Sequence, residues 1–579
     1  MPQSRNLNQL KRCPACDDDL GVPPTLAEDG SWRRPSLLLE VCGSDRGAME
    51  WRLSSFGGAV EASSKGYHAS RPGWVYRMCG DGHVFLDHIR MTGESVSTEW
   101  TVDDFDASAT IGGVAAGKSY LILRTLHQHL SVNGLRNLTT ADRPMQVDSH
   151  TADWLEDTPL QVLLQDYRNT EEKGLPLDPT VLRTTVPFHF LSANVSPDLV
   201  PAVLELQEKL GGQGHLDRST WGRRIRQPIL CRYSIGGKRV LVAIADLAGE
   251  QFARTALEDD HQQRLLRNYG TLTWVIDPAI AKPFATFIPA DTAEDTIAAS
   301  VRPDENVTND LRGVLHQRNS VQREVALKLA QRTAALAANV GSRQHVLVCI
   351  SKMDLVHLAL RRGKRLDELG TEDAVVEGTA RYLAHVAIRF SGPDRRLVEE
   401  AALRSVIEPI ARTQHEQKLF EATVRQFAKA IVDHHNHPDA WWNLVHVGGG
   451  AVIPVREGEL SSVLPAGRIV LPSLDAHIAA ALTPRASAVL RTRDLVMSAL
   501  GCGIAFALGF GQRIESMLGH EWRDLRFFLC SPLEHAPVRV AETSELIEPR
   551  DASAVFPDVD ERSAALSQLL LSLLRRMRP

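Results

Sequence analysis

The sequence predicts an α/β fold, a mixed and mostly parallel sheet flanked by helices, with helical insertions and a small cysteine-bearing module in front. Three observations predict it. From about residue 105 onward, short continuous apolar runs alternate with longer segments of helical periodicity, as buried parallel strands joined by helices require. Between two of the runs sits Gly236-Gly237, a two-residue hairpin signal that gives the sheet one antiparallel edge. A glycine-rich stretch, GGVAAGKS, follows the first run and precedes a helical pattern, so strand, loop and helix come in that order.

The strands are read in chain order as SATIG (108–112), VLVAIA (240–245), LTWVI (272–276), VLVCI (346–350) and RFFLC (526–530). After the first, Ile122, Leu126 and Leu130 recur at four-residue spacing until Asn133 and Gly134 stop the helix. Residues 295–340 and 365–435 are charged, rich in Ala and Leu, and helical in period, so they read as helical insertions. The tail ERSAALSQLLLSLLRRMRP reads as a packed amphipathic helix with arginines at its C-terminal end. Residues 1–104, rich in Gly, Ser, Trp and Cys, read as small strands around turns. The expected organisation is thus 1–104 as the cysteine module, 105–360 as the first part of the core, 361–520 as a mostly helical insertion, and 521–579 as the last strand and terminal helix.

Composition narrows the function classes. In 579 residues, 43% hydrophobic, 65 basic side chains face 71 acidic ones for a net charge of −6. That balance is too mild for a chain whose main partner is a nucleic acid. The start MPQSRNLNQLKRCPAC has no apolar stretch behind its basic residues, so it does not read as a secretory signal. The greasiest segment, LVMSALGCGIAFALGFG (495–511), is shorter than a bilayer span of about 20 residues and reads as a buried helix. Eight cysteines are too few for a disulfide scaffold in so long a chain. A cytoplasmic location without a membrane role is the expectation.

The chemistry begins at residues 112–119. Gly112, Gly117, Lys118 and Ser119 fit GxxxxGK[ST] in full. Small residues let the backbone wrap a phosphate, successive N–H groups point inward, the lysine supplies charge, and the hydroxyl ligates magnesium. Gly112, Gly113, Val114, Ala115, Ala116, Gly117, Lys118, Ser119 and Tyr120 are the candidate phosphate-binding residues. At the end of VLVAIA comes DLAGE, whose Asp246 can hold a magnesium-bound water and whose Gly249 is free to swing toward a γ-phosphate. After VLVCI comes SKMD: Lys352 can lie along a purine face, and Asp354 can accept from the N1–H and N2 amine of guanine. Adenine lacks that donor pair, so Asp354 selects against it.

This ordered set resembles the translation-factor/Ras-like class of P-loop GTPases. The resemblance assigns Gly112 to Ser119 to the phosphate loop, Asp246 to Gly249 to the second switch, Ser351 to Asp354 to the [NT]KxD motif, and FFLCSP to the last motif. In that last motif Ser531 would approach the guanine from the side. The resemblance also implies a switch threonine on magnesium, for which PTVLRTTVPFHF offers Thr184 and Thr185, with Thr180 weaker. Glu250 stands where a water-positioning glutamine is usual and Gln251 follows it; with Lys118 they are the implied catalytic residues. A carboxylate there orients water but repels phosphate, so turnover is expected to be slow without an activating partner. Ser351 replaces Asn or Thr, which weakens the expected loop-to-loop bonding, and CSP replaces Ser-Ala. The long spacings from Ser119 to Asp246 and from Asp354 to Ser531 imply structured insertions where protein partners bind.

An enlarged core of this kind behind a cysteine module is similar to the bacterial double-GTPase families, associated with conflict or defence gene systems. The implied function is a switch that hydrolyses GTP to GDP with Mg2+; the alternative is a nucleotide-stabilised scaffold with little or no turnover. In the front module, Cys13 and Cys16 form CPAC, and Cys79 with His83 forms a Cys-x3-His pair. Four such ligands from two tight turns suit tetrahedral zinc, with Cys42 as the competing fourth ligand. The cluster His434, His435 and His437, with His446 nearby, reads as imidazoles favouring a helix C-terminus, a metal site being the alternative.

Overall fold

The computed structural model describes residues 104–113, 116–118, 120–122, 124–125, 271–288, 311–337, 345–391, 402–456, 467–481, 490–519, 525–531, 566 and 569. It also gives the backbones of the strands between 37 and 99 and between 189 and 246. The chain divides into two compact units, one of 1–109, 144–167 and 177–270, the other of 110–143, 168–176 and 271–579.

The first unit carries a sheet built from β1 (Leu37–Gly43), β2 (Met49–Ser55), β3 (Glu61–Ala62), β4 (Gly73–Met78), β5 (His83–Met91) and β6 (Thr98–Glu99). They run antiparallel in the order β3-β2-β1-β4-β5-β6. β7 (Asp104–Gly112) follows, and β8 (His189–Phe190) pairs parallel with β5. β9 (Ile229–Ile235) and β10 (Lys238–Asp246) form an antiparallel hairpin with Ile235 opposite Lys238. Gly236-Gly237 is therefore the turn that the sequence indicated, because only a two-residue loop fits that register.

The second unit is α/β. Its sheet takes the end of β7 together with β11 (Thr271–Ile276), β12 (His345–Ile350) and β15 (Leu525–Leu529), four mostly parallel strands in the order β15-β12-β11-β7. β13 (Ala451–Val455) and β14 (Gly467–Leu471) form a separate antiparallel pair. Every residue of β11 and β15 is buried, as are Val346 to Ile350 of β12. Strands covered on both faces bury every side chain, which is why they read as continuous apolar runs. β15 begins one residue earlier than RFFLC, and its Arg526 is buried against Asp494, 3.3 Å away.

The helices are α1 (Lys282–Phe287), α2 (Leu311–Ala337), α3 (Asp354–Arg361), α4 (Ala374–Ser391), α5 (Glu408–Arg412), α6 (Gln417–His435), α7 (Pro438–Trp442), α8 (Leu474–Ala481), α9 (Thr492–Ala505) and α10 (Gly511–Leu518). The segment 495–511 runs through α9 and the turn Phe506–Phe510 to the first residue of α10, and every residue of α9 is buried. The run Thr492–Leu518 is long and apolar enough to cross a bilayer, but 83% of its most apolar window is buried inside the protein. Trp274 of β11 meets Phe510 edge-on at 5.4 Å, and Tyr382 of α4 meets Phe527 at 5.7 Å while donating to the Leu525 carbonyl. These contacts tie the helical layer to the sheet.

α4 and α9 cross where both carry glycine. A Cβ on Gly503 would collide with the Val375 carbonyl and the Thr379 hydroxyl, and one on Gly378 would lie 2.8 Å from Gly503 Cα. Replacing Gly503 by Ala is expected to destabilise the second unit by about 1–3 kcal/mol, the usual cost of overpacking. Thermal unfolding measures it; an unchanged midpoint would show that the two helices can separate freely.

Candidate functional site

The motif residues of the second unit converge at the C-terminal ends of its strands. Gly112 ends β7 and must be glycine, because a Cβ there would lie 2.5 Å from the Val275 carbonyl of the neighbouring strand. Gly117 has φ +85, the left-handed region where L side chains are strained. With the chain so turned, the Leu121 N–H bonds the Gly117 carbonyl at 2.8 Å, which starts a helical turn. Lys118 Nζ lies back over the loop, donating to the carbonyls of Gly112 at 3.1 Å and Gly113 at 2.8 Å. Ala116 is buried and Tyr120 half-buried in that first turn. Val114, Ala115 and Ser119 lie outside the described residues.

Parallel pairing sets the other loops beside this one. Ile276 of β11 pairs with Ile350 of β12, and Ile350 with Leu529 of β15, so the three strands end level. Backbone bonds then join the loops: Ser351 N–H to the Ile276 carbonyl at 3.0 Å and Met353 N–H to the Cys530 carbonyl at 3.2 Å. The Ser351 hydroxyl is 2.9 Å from the Ala116 carbonyl and 3.1 Å from that of Ile276. Serine in place of Asn or Thr therefore does not sever the loop-to-loop bond; the buried hydroxyl still spans to the glycine-rich loop, 235 residues away in sequence.

Asp354 opens α3, where a carboxylate suits the helix N-terminus. It is buried, and its Oδ1 accepts from the Ser531 hydroxyl at 2.5 Å. The SKMD and CSP segments, 177 residues apart, thus meet through the residues singled out in each. Lys352 sits at φ +57, uncommon for a side-chain-bearing residue, and its Nζ pairs with Asp277 Oδ2 at 2.7 Å.

Two members of this cluster escaped the sequence reading. Asp277 follows β11, fully buried; its Oδ1 caps the short turn Pro278–Ile280 by accepting from the Ala279 N–H at 3.0 Å. Gln322 of α2, also fully buried, brackets the Asp277 peptide, accepting its N–H at 2.8 Å and donating to its carbonyl at 3.1 Å. The signal for Asp277 was available: an acid ends LTWVI as Asp246 ends VLVAIA. Nothing in the pattern of α2 marks Gln322.

The remaining sequence candidates fall elsewhere. Asp246 is the last residue of β10 in the first unit. Gly249, Glu250, Gln251, Thr180, Thr184 and Thr185 lie outside the described residues, as do Cys13, Cys16 and Cys79. Cys42 is in β1 and His83 opens β5. Among the described residues no group of three or more His, Cys, Asp or Glu is arranged to hold a metal ion. His435 is buried at the end of α6, its Nδ1 2.7 Å from the Ile431 carbonyl, so that nitrogen carries the proton. His446 lies against Trp442 with ring centroids 3.9 Å apart, and His357, one turn along α3 from Asp354, lies 4.7 Å from the same indole.

Comparison of the chain with known proteins finds no matching family model and no matching curated protein.

The buried imidazoles predict an acid response. Burial, then the His357 and Arg124 charges, push His446 down to about 3; burial, then His434, push His435 to about 3. Both are lowered from 6.5, so between those values the unfolded chain binds protons that the folded chain does not. Stability is therefore full above about pH 6.5 and falls as the pH drops toward 3. Replacing His446 by Phe, which keeps a ring against Trp442, is expected to remove one proton from this response, up to about 1.4 kcal/mol per pH unit. Urea unfolding at pH 7 and pH 5 measures it; an unchanged difference between the two midpoints would contradict the assignment.

Proposed function

We propose that the protein is a guanine-nucleotide-binding switch that hydrolyses GTP to GDP and phosphate. The observation that supports this reading most is the meeting of three motif segments at one edge of the sheet: the glycine-rich loop joined to Ser351, and Asp354 bonded to Ser531. No one of these motifs is specific alone. Their convergence is what a single phosphate-and-base site requires.

In this reading the backbone of residues 113–119 and Lys118 hold the β- and γ-phosphates. The fit is chemical: Lys118 Nζ already lies over the loop on two carbonyls, and Gly117 takes the left-handed backbone that a phosphate-binding turn calls for. Asp354 accepts from guanine N1–H and N2 amine, Lys352 flanks the purine, and Ser531 holds the Asp354 carboxylate in place. Magnesium, which neutralises charge on the β- and γ-phosphate oxygens, would be held by Ser119 and Thr184 or Thr185, and through water by Asp246. Gly249 senses the γ-phosphate. Glu250 or Gln251 orients a water whose oxygen bonds to the γ-phosphorus as the bond to the β,γ-bridging oxygen breaks. Losing the γ-phosphate releases the switches and informs protein partners bound through the helical insertion and the N-terminal module. Zinc on Cys13, Cys16, Cys79 and His83, or Cys42, would brace that module. A place in a bacterial conflict or defence system rests on the resemblance in layout.

The carboxylate of Glu250 favours a second reading, a scaffold that binds GTP with little or no turnover. Phosphate release under multiple-turnover conditions separates the two: tight GTP retention without release leaves only the scaffold. Both readings require guanine selectivity. Calorimetric titration is expected to give GTP and GDP binding at least about 100-fold tighter than ATP, abolished in Lys118→Ala. Asp354→Asn is expected to move the preference toward xanthine nucleotides, whose C2 carbonyl needs a donor. Equal binding of ATP and GTP by the wild type, or an unmoved preference in Asp354→Asn, would defeat the guanine assignment.

A further inference from the structure

We infer that Asp277 is a positioning residue: it holds Lys352 in place and thereby sets how long a purine nucleotide stays bound. The inference rests on reading the site as a guanine-nucleotide pocket. Asp277 belongs to none of the sequence motifs, yet its burial is complete while that of Lys352 is not, their side chains being 0% and 18% exposed. A carboxylate taken wholly out of water is tolerated only where its oxygens are bonded. Here one oxygen takes the Ala279 N–H and the other the Lys352 ammonium.

The support behind Asp277 is equally specific. Gln322 grips its peptide on both sides, and the same glutamine borders the glycine-rich loop, its Cβ 3.7 Å from where a Cβ on Gly113 would stand. One side chain of α2 therefore abuts the start of the phosphate loop and the base of the Asp277–Lys352 pair. Lysine has a long, flexible stem with high rotamer entropy, and a stem meant to lie along a purine face must lose it on binding. An ion pair that fixes the ammonium beforehand removes that cost from the bound state. The left-handed backbone at Lys352 is held by flanking bonds of Ser351 and Met353, so the stem leaves from a fixed point.

Release of a fluorescent GDP analogue, chased with excess GDP, tests this on the full chain. Asp277→Asn is isosteric and keeps an acceptor for the Ala279 N–H; Asp277→Ser keeps one too and replaces it if the first variant does not fold. Lys352→Asn tolerates the left-handed backbone. Each single change is expected to speed release about tenfold, in line with loss of a charge-assisted bond. The double variant is expected to release no faster than Lys352→Asn alone, because Asp277 acts through Lys352. A purely structural role would instead multiply the two effects, and that result, or unchanged release from the Asp277 variant, overturns the inference while the guanine reading stands. A wild-type chain that retains no GDP removes both together.

Discussion

A buried hydroxyl bridges the parts of this molecule that matter most. Ser351 Oγ stands within hydrogen-bonding distance of Ala116 and Ile276 carbonyls, and having one proton it serves as a shared donor between them. It can do so because β11, β12 and β15 end level, which follows from parallel register rather than from any property of the loops. The level ends bring the chain after each strand to one edge, the place where open α/β sheets offer their binding groups. Gly112 permits the close approach of β7 to β11 on which the loop's position depends.

Legibility in the sequence followed burial. β11, β12 and β15 could be read directly, because a strand covered on both faces leaves an unbroken apolar run. The β13–β14 hairpin could not: only Ile453, Val455, Ile469 and Leu471 point inward, Pro454 interrupts the run, and Val452 and Val470 face outward. Lys118, Lys352, Asp354 and Ser531 were legible because their motifs fix type and spacing. Gln322 was not, and of Asp277 only its place after a buried strand was legible, since a polar residue's partner is chosen by tertiary structure: Asp277 finds Lys352 across 75 positions of sequence. For Ser351 the residue type was legible but its partners were not: the Ala116 carbonyl lies 235 positions away in sequence.

The helical part of the second unit is built for close contact rather than for size. Glycines at the α4–α9 crossing let two backbones approach, and the buried Asp494 of α9 is paired with Arg526 of β15, with His477 of α8 3.3 Å from its other oxygen. Arg493 fans across the carbonyls of Asn443, Leu444, Gly449 and Pro472, a cation at the end of a helical turn where the dipole favours it. Trp442 meets the imidazoles of His357 and His446, so the helix that Asp354 opens is packed directly against the insertion. A change in the SKMD segment thus has a short physical route into the helical part of this unit.

The central claim, that the glycine-rich loop, the SKMD segment and the CSP segment form one guanine-nucleotide site, is tested most directly by amide hydrogen exchange with and without nucleotide. GDP with magnesium is expected to slow exchange at residues 112–122, 351–356 and 529–531 together, with ADP leaving all three as they are. Protection by ADP equal to that by GDP, or no protection of these segments by either nucleotide, would contradict it.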